Sequence, residues 1–202
     1  MKRDLPLTSA NSIRGGPEGS VLGKRKGFLS EFDNLFSGFE KKNAREEDSP
    51  VKPKTPKKAP TQTLIDEKGN KYTGNLEDNE KHGYGILKYV DGQVYTGHWV
   101  HDQRQGFGVL SYPKGGGEYK GAWFSDNMHG HGTQIMGDKS TFVGEFRFGN
   151  RHGRGVLTSS EGHIIYSGEW FTGLPHGKGE MHYNDGSFYD GDFIEGMKHG
   201  RG

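Results

Sequence analysis

The chain has 202 residues, of which 29% are hydrophobic, with 35 glycines, no cysteine and a net charge of +1. So low an aliphatic content excludes a thick two-layer core and leaves aromatic side chains to supply most of the buried area. The lack of cysteine excludes disulfides and thiolate metal sites and fits an intracellular protein, and no stretch approaches the roughly 18 apolar residues of a membrane helix. Met1-Lys2-Arg3-Asp4 has no apolar run behind it, so no signal peptide is expected. Charge is unevenly divided. Residues 1–60 carry 13 Lys/Arg against 8 Asp/Glu, net +5, and residues 61–202 carry 14 against 18, net −4. An acidic body behind a basic tail argues against nucleic acid as the body's partner and disfavours acidic lipid.

Residues 1–63 read as a basic tail and linker, disordered over most of their length. One segment is patterned: Phe28, Phe32, Leu35, Phe36 and Phe39 fall at i, i+4, i+7, i+8 and i+11, one face of a short amphipathic helix over 28–41. At that length it is marginal alone, so it is expected to dock. Its own sheet, the groove of a partner protein and a membrane are the alternatives, the last opposed by Glu31, Asp33 and Glu40.

Residues 44–61 are charged and proline-rich and cannot pack a core. Within them Ser49-Pro50-Val51-Lys52 and Thr55-Pro56-Lys57-Lys58 have the form of proline-directed kinase sites, making Ser49 and Thr55 candidate phosphosites. Lys24-Arg25-Lys26 and the lysines of 52–58 also have the composition of nuclear-import patches.

From residue 64 onward the chain repeats. Tyr-x-Gly-x-aromatic begins at Tyr72, Tyr95, Tyr119, Phe142, Tyr166 and Tyr189, every 23 or 24 residues, and each copy is followed by Gly-x-Gly. A fixed period of this size means a stacked array of one supersecondary unit. In the unit starting at Tyr95, alternation puts Tyr95, Gly97 and Trp99 on one strand face. His101–Gln105 reads as a turn, and Gly106, Gly108, Leu110 and Tyr112 return on the same face. Asp91-Gly92, Gly137-Asp138, Glu161-Gly162 and Asp185-Gly186 have the chemistry of the turns between units. The expected fold is therefore all-β: a single-layer antiparallel meander of hairpins, forming an elongated twisted ribbon whose rings lie over strand glycines. The column after Gly-x-Gly is Leu87, Leu110, Leu157 and Met181, with Gln134 the polar exception. The last unit stops at Gly202 before its second strand, and an edge left open there is expected to pair, giving self-association.

Two apparent sites dissolve on inspection. His82, His129, His152, His176 and His199 form a column, but equivalent residues stand about 10 Å apart, whereas zinc ligands sit about 2.1 Å from the ion; the histidines are assigned to the hairpin turns. The Gly-x-Gly pairs lack the following helix that a phosphate-binding loop requires. No catalytic set, cofactor site or metal site stands out. Tyr95, Trp99, Tyr119, Trp123, Tyr166 and Trp170 are left as a candidate aromatic groove, either core or contact surface.

Tyr-x-Gly-x-Trp/Phe, then Gly-x-Gly, then Asp-Gly at this period resembles the MORN repeat, over roughly residues 64–202. Leu76 in place of the first unit's aromatic, and Gln105 where the other five units have a histidine before Gly-x-Gly, are departures. The resemblance implies a non-enzymatic scaffold or adaptor with protein partners, cytoskeletal or axonemal among them, in the cytoplasm at cytoskeleton, cilium or cell cortex. It leaves open an acidic-phospholipid tether, and the targeting module of a larger enzyme such as a lipid kinase or SET-domain methyltransferase. The basic runs of the tail keep a nuclear location as the alternative.

Overall fold

A computed structural model describes residues 61–202. The strands are β1 (Gln62–Ile65), β2 (Lys71–Glu77), β3 (Glu80–Lys88), β4 (Val94–Val100), β5 (Gln103–Ser111), β6 (Gly117–Phe124), β7 (Asn127–Met136), β8 (Thr141–Arg147), β9 (Asn150–Thr158), β10 (Ile164–Phe171), β11 (Leu174–His182), β12 (Phe188–Ile194) and β13 (Met197–His199). They form one open sheet in which sequence order is spatial order and every neighbouring pair is antiparallel. The array begins earlier than its repeat signature, because Gln62–Ile65 already pairs with β2. The sixth hairpin, expected to lack its second strand, is closed by the three residues of β13. The helix expected over 28–41 and the candidate phosphosites Ser49 and Thr55 lie outside the described residues.

Two kinds of turn alternate. Within a unit the strands are joined by two residues of positive φ: His101 and Asp102 at 46° and 64°, Ser125 and Asp126 at 45° and 65°, Thr172 and Gly173 at 46° and 89°. That is the tight turn whose twist matches the flanking strands. Between units, Tyr89 N–H donates to Gln93 O, Gly92 N–H donates to Tyr89 O, and the Asp91 carboxylate accepts Gln93 N–H at 2.9 Å. The turn at Gly137-Asp138 follows the same scheme with a change of residue. Asp138 accepts the N–H of Ser140, but the positive φ of 70° falls on Lys139 and neither Gly137 nor Asp138 takes it.

Inside the hairpins of units one to five the register slips by two residues. In β4 and β5, Gly97 faces Gly108 while His98 faces Gln105, so Gly106 and Phe107 have no partner in β4. Gly106 sits at φ 64°, a backbone conformation that L side chains rarely adopt and glycine adopts freely. The slip corrects the reading of the second strands. His101–Gln105 is not a five-residue turn: the strand restarts at Gln103. His82, His129, His152 and His176, expected in the turns, stand within β3, β7, β9 and β11.

The core is built on a single row of rings on one face, with Leu87 and Leu110 packed into it. Trp99 meets Tyr72 and Tyr95 edge to face, with centroids 5.6 and 5.0 Å apart, and Trp123 meets Tyr95 and Tyr119, each at 5.2 Å. Phe146, Trp170 and Phe193 continue the row through Phe142, Tyr166 and Tyr189 at 5.0–5.3 Å. These contacts follow the preference of aromatic quadrupoles for T-shaped pairs. Glycine makes the row fit: a Cβ on Gly97 would lie 2.5 Å from the Tyr95 hydroxyl and 2.6 Å from Gly108 Cα.

Candidate functional site

The rings expected to line a groove are the core. Tyr95, Trp99, Tyr119, Trp123, Tyr166 and Trp170 are between 0% and 4% exposed, so they offer a partner almost no area. Their polar atoms are used internally as well. Tyr95, Tyr119 and Tyr166 hydroxyls donate to the carbonyls of His98, Ala122 and Glu169, next to the register slip. Trp99, Trp123 and Trp170 indoles donate to the carbonyls of Gly85, Gly108 and Gly155. Burial pushes the phenols of Tyr72 and Tyr166 up to about 12, and those of Tyr95 and Tyr119 up as well.

What remains accessible on this face is its margin along the hairpin turns. Arg104 lies over the Trp123 ring at 4.3 Å, Lys81 over Trp99 at 5.4 Å, Arg151 over Phe142 at 5.0 Å, and Lys198 over Tyr183 at 4.7 Å. All four occupy the same place in their units, two residues before the first glycine of Gly-x-Gly. Two are answered by the turn of the next unit. Asp102 accepts both the backbone N–H and the ammonium of Lys81, at 2.9 and 2.6 Å. Asp126 accepts the backbone N–H and Nε of Arg104, both at 3.0 Å. Burial opposes ionisation of Asp102, but the hydrogen bonds from Lys81 outweigh it and its pKa falls.

The opposite face carries a feature that alternation alone did not reveal. Along the turn edge of units three to six, Phe124, Phe148, Phe171, Leu174, Ile194 and Met197 are 42–67% exposed. Histidines stand between the rings: His129 contacts Phe124 at 5.6 Å and Phe148 at 5.3 Å, and Phe171 contacts His152 at 5.4 Å and His176 at 5.5 Å. The strip is scattered in sequence, each of its members lying in or next to a hairpin turn, so no run of apolar residues announces it. Among the described residues no three His, Cys, Asp or Glu converge in a metal-binding set, and no helix is long and apolar enough to cross a membrane.

The family model described as MORN repeat matches six times in tandem, at residues 72–94, 95–117, 119–141, 142–164, 166–188 and 189–202. No curated protein matches the chain. Among solved structures, the SAS-4 (dCPAP) TCP domain of Drosophila melanogaster, in complex with a proline-rich motif of Ana2 (dSTIL), aligns over 71% of this chain and 96% of that one. The identity is 9% and the TM-score 0.21, a likeness that carries no functional argument.

Proposed function

The chain belongs to the MORN-repeat family, and we propose that it is a non-enzymatic scaffold whose partners are proteins held along the turn edge of its sheet. The exposed strip from Phe124 to Met197 carries this reading. Six large apolar side chains in one line would be costly to leave in water, and contiguous patches of this kind mark interaction sites. The sheet beneath them is a firm support, because its rings are packed against one another and the strip can bind without disturbing the core. The family suggests cytoskeleton, cilium or cell cortex as the setting.

Proximity labelling in the source cell tests the reading. Changing Phe148 and Phe171 to Ser removes two rings that are 56% and 51% exposed, so melting should move little. The expected result is loss of the principal labelled neighbours with an unchanged melting curve. An unchanged set of neighbours would contradict the proposal.

A further inference from the structure

The cationic margin of the ring face is internally matched in the first units and unmatched in the fourth. Lys81 and Arg104 each receive a carboxylate from the second turn residue of the next hairpin, Asp102 and Asp126. The residue at that place after Arg151 is Gly173, whose N–H still donates to Arg151 O at 3.0 Å but which has no side chain to offer. The backbone scheme is retained and the anion is missing.

Arg151 is not simply solvated instead. One guanidinium nitrogen donates to Gln134 Oε1 at 3.2 Å and lies 2.9 Å from Met136 Sδ, while the group rests over Phe142 and Trp170. Gln134, the polar exception in its column, is thereby explained as a holder of Arg151. The carboxylate whose charge acts on it is Asp138, which is bonded to Ser140 at 2.9 and 2.5 Å, and no ion pair of Arg151 exists among the described residues. Strand carboxylates are no help, because those borne by β2 to β12, such as Glu145 and Glu169, alternate onto the opposite face. A half-buried, oriented guanidinium whose direct contacts are all neutral retains most of the desolvation cost that a bonded anion would offset.

We propose that Arg151 receives a carboxylate from an acidic, extended segment of a partner protein laid along the margin of the ring face, doing from outside what Asp102 and Asp126 do within the chain. The inference shares with the scaffold reading only the premise that the partner is a protein; it concerns the other face. The carboxylate replaces a missing charge, and the planar guanidinium selects for an oxygen pair in its own plane. Lys198, over Tyr183 and Tyr189, supplies a second positive point further along the same margin.

Gly173 provides the test. It has φ 89°, a Cβ added to it would meet nothing within 4 Å, and its equivalents Asp102 and Asp126 hold φ 64° and 65°. Gly173→Asp should therefore fill the place from within, and Gly173→Asn should impose the same backbone cost without the charge. The probe is a fluorescein-labelled dodecapeptide of alternating Glu and Ser, with the Gln-for-Glu peptide as control, titrated against the full chain in fluorescence anisotropy. Gly173→Asp and Arg151→Gln should each weaken binding of the acidic peptide at least tenfold, while Gly173→Asn stays within threefold of the unmodified chain and the Gln peptide does not bind. Melting curves of the two Gly173 variants, expected to be similar, separate loss of the site from loss of the fold. Equal binding by Gly173→Asp and Gly173→Asn, or no binding by the unmodified chain, would overturn the proposal. So would phosphatidylserine vesicles that bind the unmodified chain and not Gly173→Asp while the peptide binds neither. The Phe148→Ser, Phe171→Ser chain should bind the peptide normally, so failure here leaves the turn-edge strip untouched.

Discussion

At the scale of single residues, the hydroxyl of the repeated tyrosine has a defined role. It reaches the carbonyl three residues on, as Tyr119 reaches Ala122 at 2.8 Å, beside the register slip of the hairpin. Tyr119→Phe keeps the ring and loses the bond, and should cost about 0.5–1.5 kcal/mol in chemical denaturation. Unit four is the natural complement. Phe142 has the ring without the hydroxyl, and Glu145 O is the equivalent acceptor, so Phe142→Tyr should raise stability by up to about 1 kcal/mol. A gain from Tyr119→Phe would show that the hydroxyl is incidental.

At the scale of the hairpin, glycines divide into those that admit a neighbour and those that only set a turn. A Cβ at Gly121 would lie 2.5 Å from the Tyr119 hydroxyl and 2.6 Å from Gly132 Cα, whereas one at Gly149 would meet nothing within 4 Å. Gly121→Ala should thus lose several kcal/mol, through overpacking of the kind that costs about 1–3 kcal/mol and a displaced ring besides. Gly149→Ala should lose only the backbone cost of about 1–2 kcal/mol. Equal losses in urea denaturation would mean that the rings are not seated on the glycine ladder. Much of the hairpin is legible from period and alternation: two strands per unit, rings and glycines on one face, tight turns between. The register slip is not, because Gly106 and Phe107 fit an unbroken alternation as well as they fit a slip. With the slip hidden, alternation assigns the histidines to turns and gives no hint that Gln134 is coupled to Arg151, 17 residues away. Phe148 and Phe171 stay invisible as a patch because a whole repeat separates them in sequence and only stacking brings them into line.

At the scale of the whole array, every described unit is joined to the next by the same strand pairing and the same ring contacts, so stability should behave as nearest-neighbour terms added along one dimension. Alkali attacks together every joint that holds a tyrosine, which is all of them but the Phe142–Trp170 contact of units four and five. Buried phenols such as Tyr72 and Tyr166 hold their protons to about 12 in the folded sheet, while an unfolded tyrosine ionises near about 10. Their contribution is fully present below the unfolded value and is lost as pH rises from there through the folded value, since only the unfolded chain releases protons in that window. Denaturation midpoints should hold to about pH 10 and then fall steadily toward about pH 12; a midpoint flat across that window would remove the buried phenols from the account.

The central claim is that one continuous row of rings over a glycine ladder, with Leu87 and Leu110 packed into it, is the main core of this sheet. Trp123 is an interior member of the row, 4% exposed and in edge-to-face contact with Tyr95 and Tyr119. Equilibrium denaturation of Trp123→Ala tests the claim most directly. A loss of about 3–5 kcal/mol is expected for truncating a buried ring of this size. A loss below about 0.5 kcal/mol, the range of an ordinary surface change, would contradict it.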